Sequence, residues 1–393
     1  MDSYIKTTTL NELCDLITKQ TGFDYSKTIK PSLVNKKIDG YLPFIQNKDF
    51  EGERINLNTD YYVPSEIAKK YPKILLDSTI LLISISGKIG NVGFYNIPQT
   101  SFVGGAICVC RLNKDVNGKY IMYFLQSSKG QFLLLHSVKA ASHSNITVED
   151  IRKLPIPIPS LSEQSRIVGF LDTFTDSIEN LKQQIAQRRK QYEHYRDQLL
   201  DLEGKDGVEM IPLGTVCSIF DGTHQTPKYT NSGIKFVSVE NINNIYASTK
   251  YISELDFEKK YKNKPQKGDV LMTRIGDVGR CAIVDKNTPI AFYVSLSLLR
   301  PNDSISNKYI KYVLESRIGQ KELRKHTLIT AVPLKINLGE ISKVKIPFIS
   351  LDEQSRIVSI LDTFEASISN LEAQLAQRQK QYEYYRNQLL TFE

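Results

Sequence analysis

A segment of 41 residues occurs twice in this chain, 190 positions apart. Residues 160–200 and 350–390 differ at 12 of the 41 positions, which leaves 29 identities. A long-period repeat fixes the architecture before any local pattern is read. Here, one element appears twice, each time after a larger segment, and the two larger segments are unlike each other. The element itself reads as a helix with a coiled-coil seam. The first seam is Ile167, Leu171, Phe174, Ile178, Leu181, Ile185, Arg188, Tyr192, Tyr195 and Leu199; the second is Ile357, Leu361, Phe364, Ile368, Leu371, Leu375, Arg378, Tyr382, Tyr385 and Leu389. Steps of four and three alternate without a break, the signature of a seam rather than of an ordinary amphipathic face. Ser160 with Glu163, and Ser350 with Glu353, mark capping-box starts. Pro155, Pro157 and Pro159, and Pro347 in the second copy, stop each helix from extending backwards. About 40 residues at about 1.5 Å each give a rod of about 60 Å.

One narrow apolar seam cannot be left in water, so each rod needs a partner. The matching seams make the other copy the expected partner. Connectivity then sets the direction: the first helix leads out of the first segment and the second leads back, so the pair runs antiparallel. The competing arrangements are a helix packed on its own globular segment and pairing between chains. Arg188 and Arg378 occupy equivalent seam positions, where a long side chain either snorkels outward or locks the register. Gln183, Gln184, Gln187, Gln191 and Gln198, with Gln374, Gln377, Gln381 and Gln388, give outward faces that are either solvated or docking surfaces.

A length of 393 residues suits two domains plus the rods. The boundaries expected are 1–159 and 204–349 for the globular domains and 160–203 and 350–393 for the helical regions. No stretch approaches the roughly 18 apolar residues of a membrane span. The start, MDSYIKTTT, lacks the basic and apolar regions of a signal peptide. Five cysteines without a Cys-x-x-Cys pair, and with no histidine at ligand spacing, read as free thiols in a reducing cytoplasm and not as a metal site. Charge is unevenly spread. Residues 1–159 hold 19 Lys/Arg against 14 Asp/Glu, and 204–349 hold 22 against 14; the helical regions hold 6 against 8 and 4 against 7. The net positive charge therefore sits on the globular segments, as it does on modules that grip phosphates.

The globular segments are distant copies. Residues 79–90 and 269–279 each read as a buried strand and a Gly-x-[Ile/Val]-Gly turn; residues 120–125 answer 309–314 at the start of a helix. Short apolar runs, turn residues and one or two helices make each an α+β domain. The expected fold is two such domains joined by two long helices in an antiparallel coiled coil, in a pseudo-twofold cyclic arrangement. Two unlike readers on matched rods suit a two-part asymmetric DNA site. No catalytic signature is present: no phosphate-binding Gly-x-x-x-x-Gly-Lys-Ser/Thr loop, no Asn/Asp-Pro-Pro-aromatic motif, no nuclease core. His224 sits in a loop-like run, 221–228, where no nucleophile or base partner is legible. Candidate DNA contacts are Thr223, His224, Lys228, Arg274, Arg280, Lys321, Arg324 and Lys325 in the second segment, and Lys27, Lys30, Lys88, Lys139, His143 and Asn145 in the first. Basic side chains would hold phosphates and the small polar ones would read base edges.

The order domain, repeated helix, domain, repeated helix, and the motif Leu-x-Glu-Gln-x-x-Ile-Val-x-x-Leu-Asp at 161–172 and 351–362, resemble the specificity subunits of type I restriction-modification systems. The Asp-Gly-Thr-His-x-Thr-Pro-Lys opening at 221–228 is also similar to that family; residues 7–30 lack it. The resemblance implies that each globular segment is a target-recognition domain for one half of a split DNA site. It implies helices that set the spacing and dock two modification subunits. Those subunits would bind S-adenosylmethionine and methylate adenine N6 on a flipped base. Restriction subunits, with ATP and Mg, would complete the nuclease. This chain would itself be non-catalytic, hold no cofactor and act in the cytoplasm. A stand-alone methyltransferase with unrecognised motifs and a coiled-coil protein scaffold are the alternatives.

Overall fold

The structure is a computed structural model that describes residues 5–139 and 145–392. It divides into two compact units. The first comprises Met1–Leu181 with Gln374–Glu393, and the second Lys182–Ala373. Each unit therefore holds one globular domain and one half of each long helix.

In the first domain the apolar run Ile80–Ser84 is a strand buried on both faces. It lies inside an antiparallel sheet, between Ile107–Leu112 and Val92–Tyr95, with Cys14–Lys19 at the far edge beyond Ile107–Leu112. Successive residues face opposite cores, as the pleat dictates. Leu81, Ile83, Cys108 and Cys110 join one cluster, while Ile80, Leu82, Ile107 and Val109 join the other. The continuous apolar pattern is thus two interleaved faces, each with its own core. The two cysteines share one core, as their alternation with Val109 predicts. Burial pushes the thiols of Cys110 and Cys281 well up and that of Cys217 up to about 12, although for Cys110 hydrogen bonding to Cys108 is the larger cause. All three pack inside the cores. A second sheet, ordered Tyr62–Pro64, Tyr41–Ile45, Ser101–Val103, Leu75–Leu76, contains one parallel pairing, Tyr41–Ile45 with Ser101–Val103. Helices α1 (Gly118–Gln126) and α2 (Ser128–Lys139) follow. The proline-rich Pro155–Ile158 pairs with Lys6–Thr9 in an isolated ribbon, where a missing N–H is tolerated. It leads into α3 (Leu161–Leu200), which starts where the prolines end.

The second domain repeats this plan. Its main sheet is ordered Cys217–Asp221, Leu296–Pro301, Val270–Thr273, Cys281–Ile283, and a three-stranded sheet again contains one parallel pair, Ile234–Val237 with Ile290–Phe292. Helices α4 (Asn307–Glu315) and α5 (Arg317–His326) answer α1 and α2. The final helix, α6 (Leu351–Leu390), matches α3 in length.

Within the first unit the opening half of α3 and the closing half of α6 run antiparallel. Phe170 and Phe174 meet the Tyr385 ring at 5.4 Å, and Arg378 stacks over Phe174 at 5.4 Å. Within the second unit the remaining halves do the same. Tyr195 meets Phe364 at 5.4 Å, Arg188 lies 5.9 Å over Phe364, Tyr192 donates to Glu365 at 3.2 Å, and Arg189 pairs with Glu372 at 2.5 Å. The seam arginines thus do not simply snorkel: each lies over a phenylalanine of the opposing helix, a cation–π contact. Tyr195 and Tyr385 are the exposed members of the seam. The capping boxes form only in part. Ser160 accepts from Glu163 N–H at 3.3 Å, but the Glu163 carboxylate is forked by Arg166 at 2.7 Å, and Glu353 and Arg356 repeat this. The arginine also holds each glutamate below the usual carboxylate range.

The repeated motif proves to be the joint between domain and helix. Gln164 is fully buried; its Nε2 donates to Pro159 at 2.9 Å and its Oε1 accepts from Asn117 N–H at 2.9 Å. Asn117 in turn caps α1. Asp172 accepts from Tyr123 at 2.6 Å and pairs with Lys119 at 2.7 Å. Gln354 takes Ser306 N–H at 2.8 Å, and Asp362 takes Tyr312 at 2.6 Å and Lys308 at 2.5 Å. Each domain is therefore clamped on its helices by the same polar set around apolar packing from Ile167 and Leu171, or Ile357 and Leu361.

Candidate nucleic-acid interface

In the second domain the strand Cys217–Asp221 ends in Asp221, and the chain turns at Gly222 against the backbone of Tyr293. A Cβ there would come within 2.5 Å of the Tyr293 carbonyl carbon, so only glycine fits. Thr223 is then stitched to the neighbouring segment, donating its N–H to Phe292 at 3.2 Å and accepting from Val294 at 3.0 Å. This sends His224, Gln225, Thr226 and Lys228 outward as an exposed loop on a fixed base. Asp221 holds that base together. One carboxylate oxygen meets His224 Nε2 at 2.8 Å, the other takes Arg274 Nη1 at 2.9 Å, and its carbonyl accepts from Asn263 Nδ2 at 2.9 Å.

The loop lines an open groove of about 570 Å³ together with Asp256, Lys260, Tyr261, Lys262, Asn263 and Phe292. Asp256 is neutralised by Lys260 at 2.8 Å, and Asp221 by Arg274. Lys228, Lys262 and His224 therefore face solvent beside amide and hydroxyl groups. Such a surface sets lysine charges, of the kind able to hold phosphates, next to donors and acceptors of the kind able to meet base edges. Among the described residues no group of three or more His, Cys, Asp or Glu could hold a metal, and His224 has an acid beside it but no nucleophile.

Thr223, His224 and Lys228 therefore converge, with Arg274 behind them. Arg274 is mostly buried and braces the loop from within through its pair with Asp221. The other second-domain candidates lie elsewhere. Arg280 is on the turn after Val270–Thr273, 3.4 Å from Asp277. Lys321 and Lys325 on α5 pair with Glu203 and Glu322, and Arg324 on the same helix makes no ion pair among the described residues. In the first domain, Lys27 and Lys30 are exposed on the short helical turns that follow Cys14–Lys19. That strand holds the same place in its sheet as Cys217–Asp221, so residues 20–32 and 222–233 are topological equivalents despite having no motif in common. Lys27 lies 5.3 Å over the exposed ring of Phe23. At the head of this segment Gln20 is buried where the second domain has Gly222, and neither of its amide atoms has a partner among the described residues. Lys88 is exposed on the turn equivalent to that of Asp277; Ser84 Oγ donates to the Lys88 carbonyl at 2.6 Å, as Thr273 does to Asp277. Asn145 is exposed, Lys139 ends α2, and His143 lies outside the described residues.

Sequence reasoning missed Lys260, Lys262 and Asn263. A signal was present: Lys259-Lys260-Tyr261-Lys262-Asn263-Lys264 is a basic run with an aromatic inside it.

Residues 3–188 and 205–379 match the family described as Type I restriction modification DNA specificity domain. The EcoR124I/EcoR124II specificity subunit of Escherichia coli is 31% identical over 300 residues, covering 70% of each chain. A putative type I restriction enzyme specificity subunit of Haemophilus influenzae, S.HindORF215P, is 27% identical over 360 residues, covering 86% of this chain and 89% of that one. Two solved structures share the fold. A chain from a type I R-M system assembly has a TM-score of 0.61 at 19% identity over 98% of this chain and 96% of that one. The S subunit from M. genitalium has a TM-score of 0.57 at 17% identity over 100% of this chain and 98% of that one. With two α+β domains, each clamped by the same polar set to the ends of repeated helices, and with both halves matched in sequence, this chain belongs to the type I restriction-modification DNA specificity family.

Proposed function

We propose that each globular domain reads one half of a two-part, asymmetric DNA site through the segment that follows the first strand of its main sheet: residues 222–233 in the second domain and 20–32 in the first. The observation that carries this is the groove beside Asp221, which a fixed loop with Lys228 and His224 lines together with Lys262 and Asn263. The unlike segments at equivalent places give two different readers. The long helices carry the surfaces for two modification subunits, which bring S-adenosylmethionine and transfer its methyl group to adenine N6. Restriction subunits join that complex, which works on DNA in the cytoplasm. The glutamine-bearing helical faces, Gln187, Gln198, Gln377 and Gln388 among them, are the docking surfaces.

The test is equilibrium DNA binding by the chain assembled with its modification subunits, at several salt concentrations. Mapping methylated adenines first defines the site. Lys228→Ala should weaken binding and lower the slope of log affinity against log salt by about one. Sequence-independent binding by the intact complex would overturn the reading.

A further inference from the structure

The second domain carries an apolar tip that nothing in its own fold explains. Between the short strands Thr327–Leu328 and Lys335–Ile336 the chain projects with Val332 fully exposed, Ile329 62% exposed, and Leu328 and Leu334 more than 40% exposed. Single exposed apolar residues are ordinary; four within seven positions on a projecting turn are not. The base of this hairpin is tied to the proposed reading surface. Gly276 N–H donates to the Leu334 carbonyl at 2.8 Å, and Ile336 N–H to the Arg274 carbonyl at 3.0 Å. Arg274 in turn braces Asp221, which holds His224. A continuous set of backbone and side-chain bonds thus runs from the tip to the loop that carries Lys228. The chain between α2 and Pro155–Ile158, at the corresponding place in the first domain, reads Val-Lys-Ala-Ala-Ser-His-Ser-Asn at 138–145 and has no such apolar cluster.

We infer that the tip formed by Ile329, Val332 and Leu334 is a second DNA contact of this domain, one that lies against base edges rather than phosphates. The inference rests on the proposed reading of DNA by the groove beside Asp221. Contacts to the phosphate backbone give no sequence information, while apolar side chains packed in a groove touch thymine methyl groups. An apolar contact displaces no counterions, so its contribution to affinity is independent of salt, in contrast to that of a lysine on a phosphate.

The experiment compares the intact complex with one carrying Val332→Ser and Ile329→Ser, on the mapped site and on unrelated duplex, across a salt series. Both side chains are exposed, so folding is not at stake; thermal unfolding and co-purification with the modification subunit check this. The expected result is affinity for the mapped site about tenfold weaker, from lost apolar burial. The salt slope and the affinity for unrelated duplex should both be unchanged. Equal affinity for the mapped site would overturn the inference, and so would an equal loss on both duplexes. Loss of the modification subunit would overturn it too, by making the tip a protein contact. If instead the unsubstituted complex binds both duplexes alike, the groove reading fails first, and that result is separate from all of these.

Discussion

Single atoms decide more at the joints than at the loops. Gly130 and Gly319 sit where α2 and α5 begin, and a Cβ at either would come within 2.1 Å of the Phe124 carbonyl oxygen or 1.9 Å of that of Val313. The obstacle is backbone, so it cannot rotate away. Gly319→Ala should therefore cost about 1–3 kcal/mol or more, read as a lower midpoint in denaturant; a change under half a kcal/mol would mean that the two helices re-seat freely. Glu53 is the other telling residue. It is half-buried in the first domain among Tyr123, Tyr382, Arg386, Lys119 and Asp172, and accepts from the Tyr382 hydroxyl. Burial raises its carboxyl above the ordinary glutamate range, against the smaller lowering by Tyr382 and Arg386. A carboxyl whose folded value is raised favours folding only while it can hold its proton. Its contribution is complete below the unfolded value, about 4.3, and is lost as pH rises through the folded value. Glu53→Gln keeps an acceptor for Tyr382 and cannot ionise. Thermal unfolding should find the variant more stable than the parent at neutral pH, with the difference closing towards pH 4. A variant less stable at every pH would show that the ionised form is the one the fold prefers.

At the scale of elements, the helices were legible and the joint was not. Unbroken four-three spacing gave both rods, and the repeated sequence gave their antiparallel partner; α3 and α6 span the residues that pattern marks. The motif around Gln164 and Asp172 was equally visible, but its role depends on Asn117, Lys119 and Tyr123, more than 40 positions upstream, and no local pattern links them. The same limit hid the groove. Lys262 and Asn263 are some 40 residues from Asp221 and meet it only because Asn263 bonds its carbonyl. The first domain's loop was obscured for another reason: residues 20–32 fold into short helical turns instead of an extended loop, and topology alone identifies them. The joint also supplies a prediction. Gln164→Ala removes the acceptor for the part-buried Asn117 N–H at the start of α1 and the donor to the buried Pro159 carbonyl, so stability should fall by about 1–3 kcal/mol, the range for an orphaned buried group. Chemical unfolding of the full chain measures it, and a neutral substitution would mean that water reaches Asn117.

For the whole molecule, the telling fact is that the two units repeat the same internal contacts. Tyr120 and Tyr309 donate to Pro157 and Pro347, at 2.7 and 2.9 Å; Ser128 and Arg317 N–H groups donate to Asn387 and Asp197, at 2.8 and 2.9 Å. What differs is concentrated in what each domain presents: a glycine-led loop and an apolar tip in the second, helical turns with a buried Gln20 in the first. A domain that carries the joint residues should therefore seat on either set of helix ends, and sequence preference should travel with the domain. A chain in which residues 208–349 replace residues 6–159 would lose the Glu53 acceptor of Tyr382 but keep the repeated joint set, because Ser306, Lys308, Tyr312 and Gly319 stand where Asn117, Lys119, Tyr123 and Gly130 stood. Two like readers in place of two unlike ones convert an asymmetric site into one whose halves are inverted copies. Mapping methylated adenines in cells that express this chain with its modification subunits gives the answer directly. The expected pattern is a symmetric two-part site whose halves both equal the parent's second half. An unchanged asymmetric site would place sequence choice outside the globular domains, on the helices or on the partner subunits.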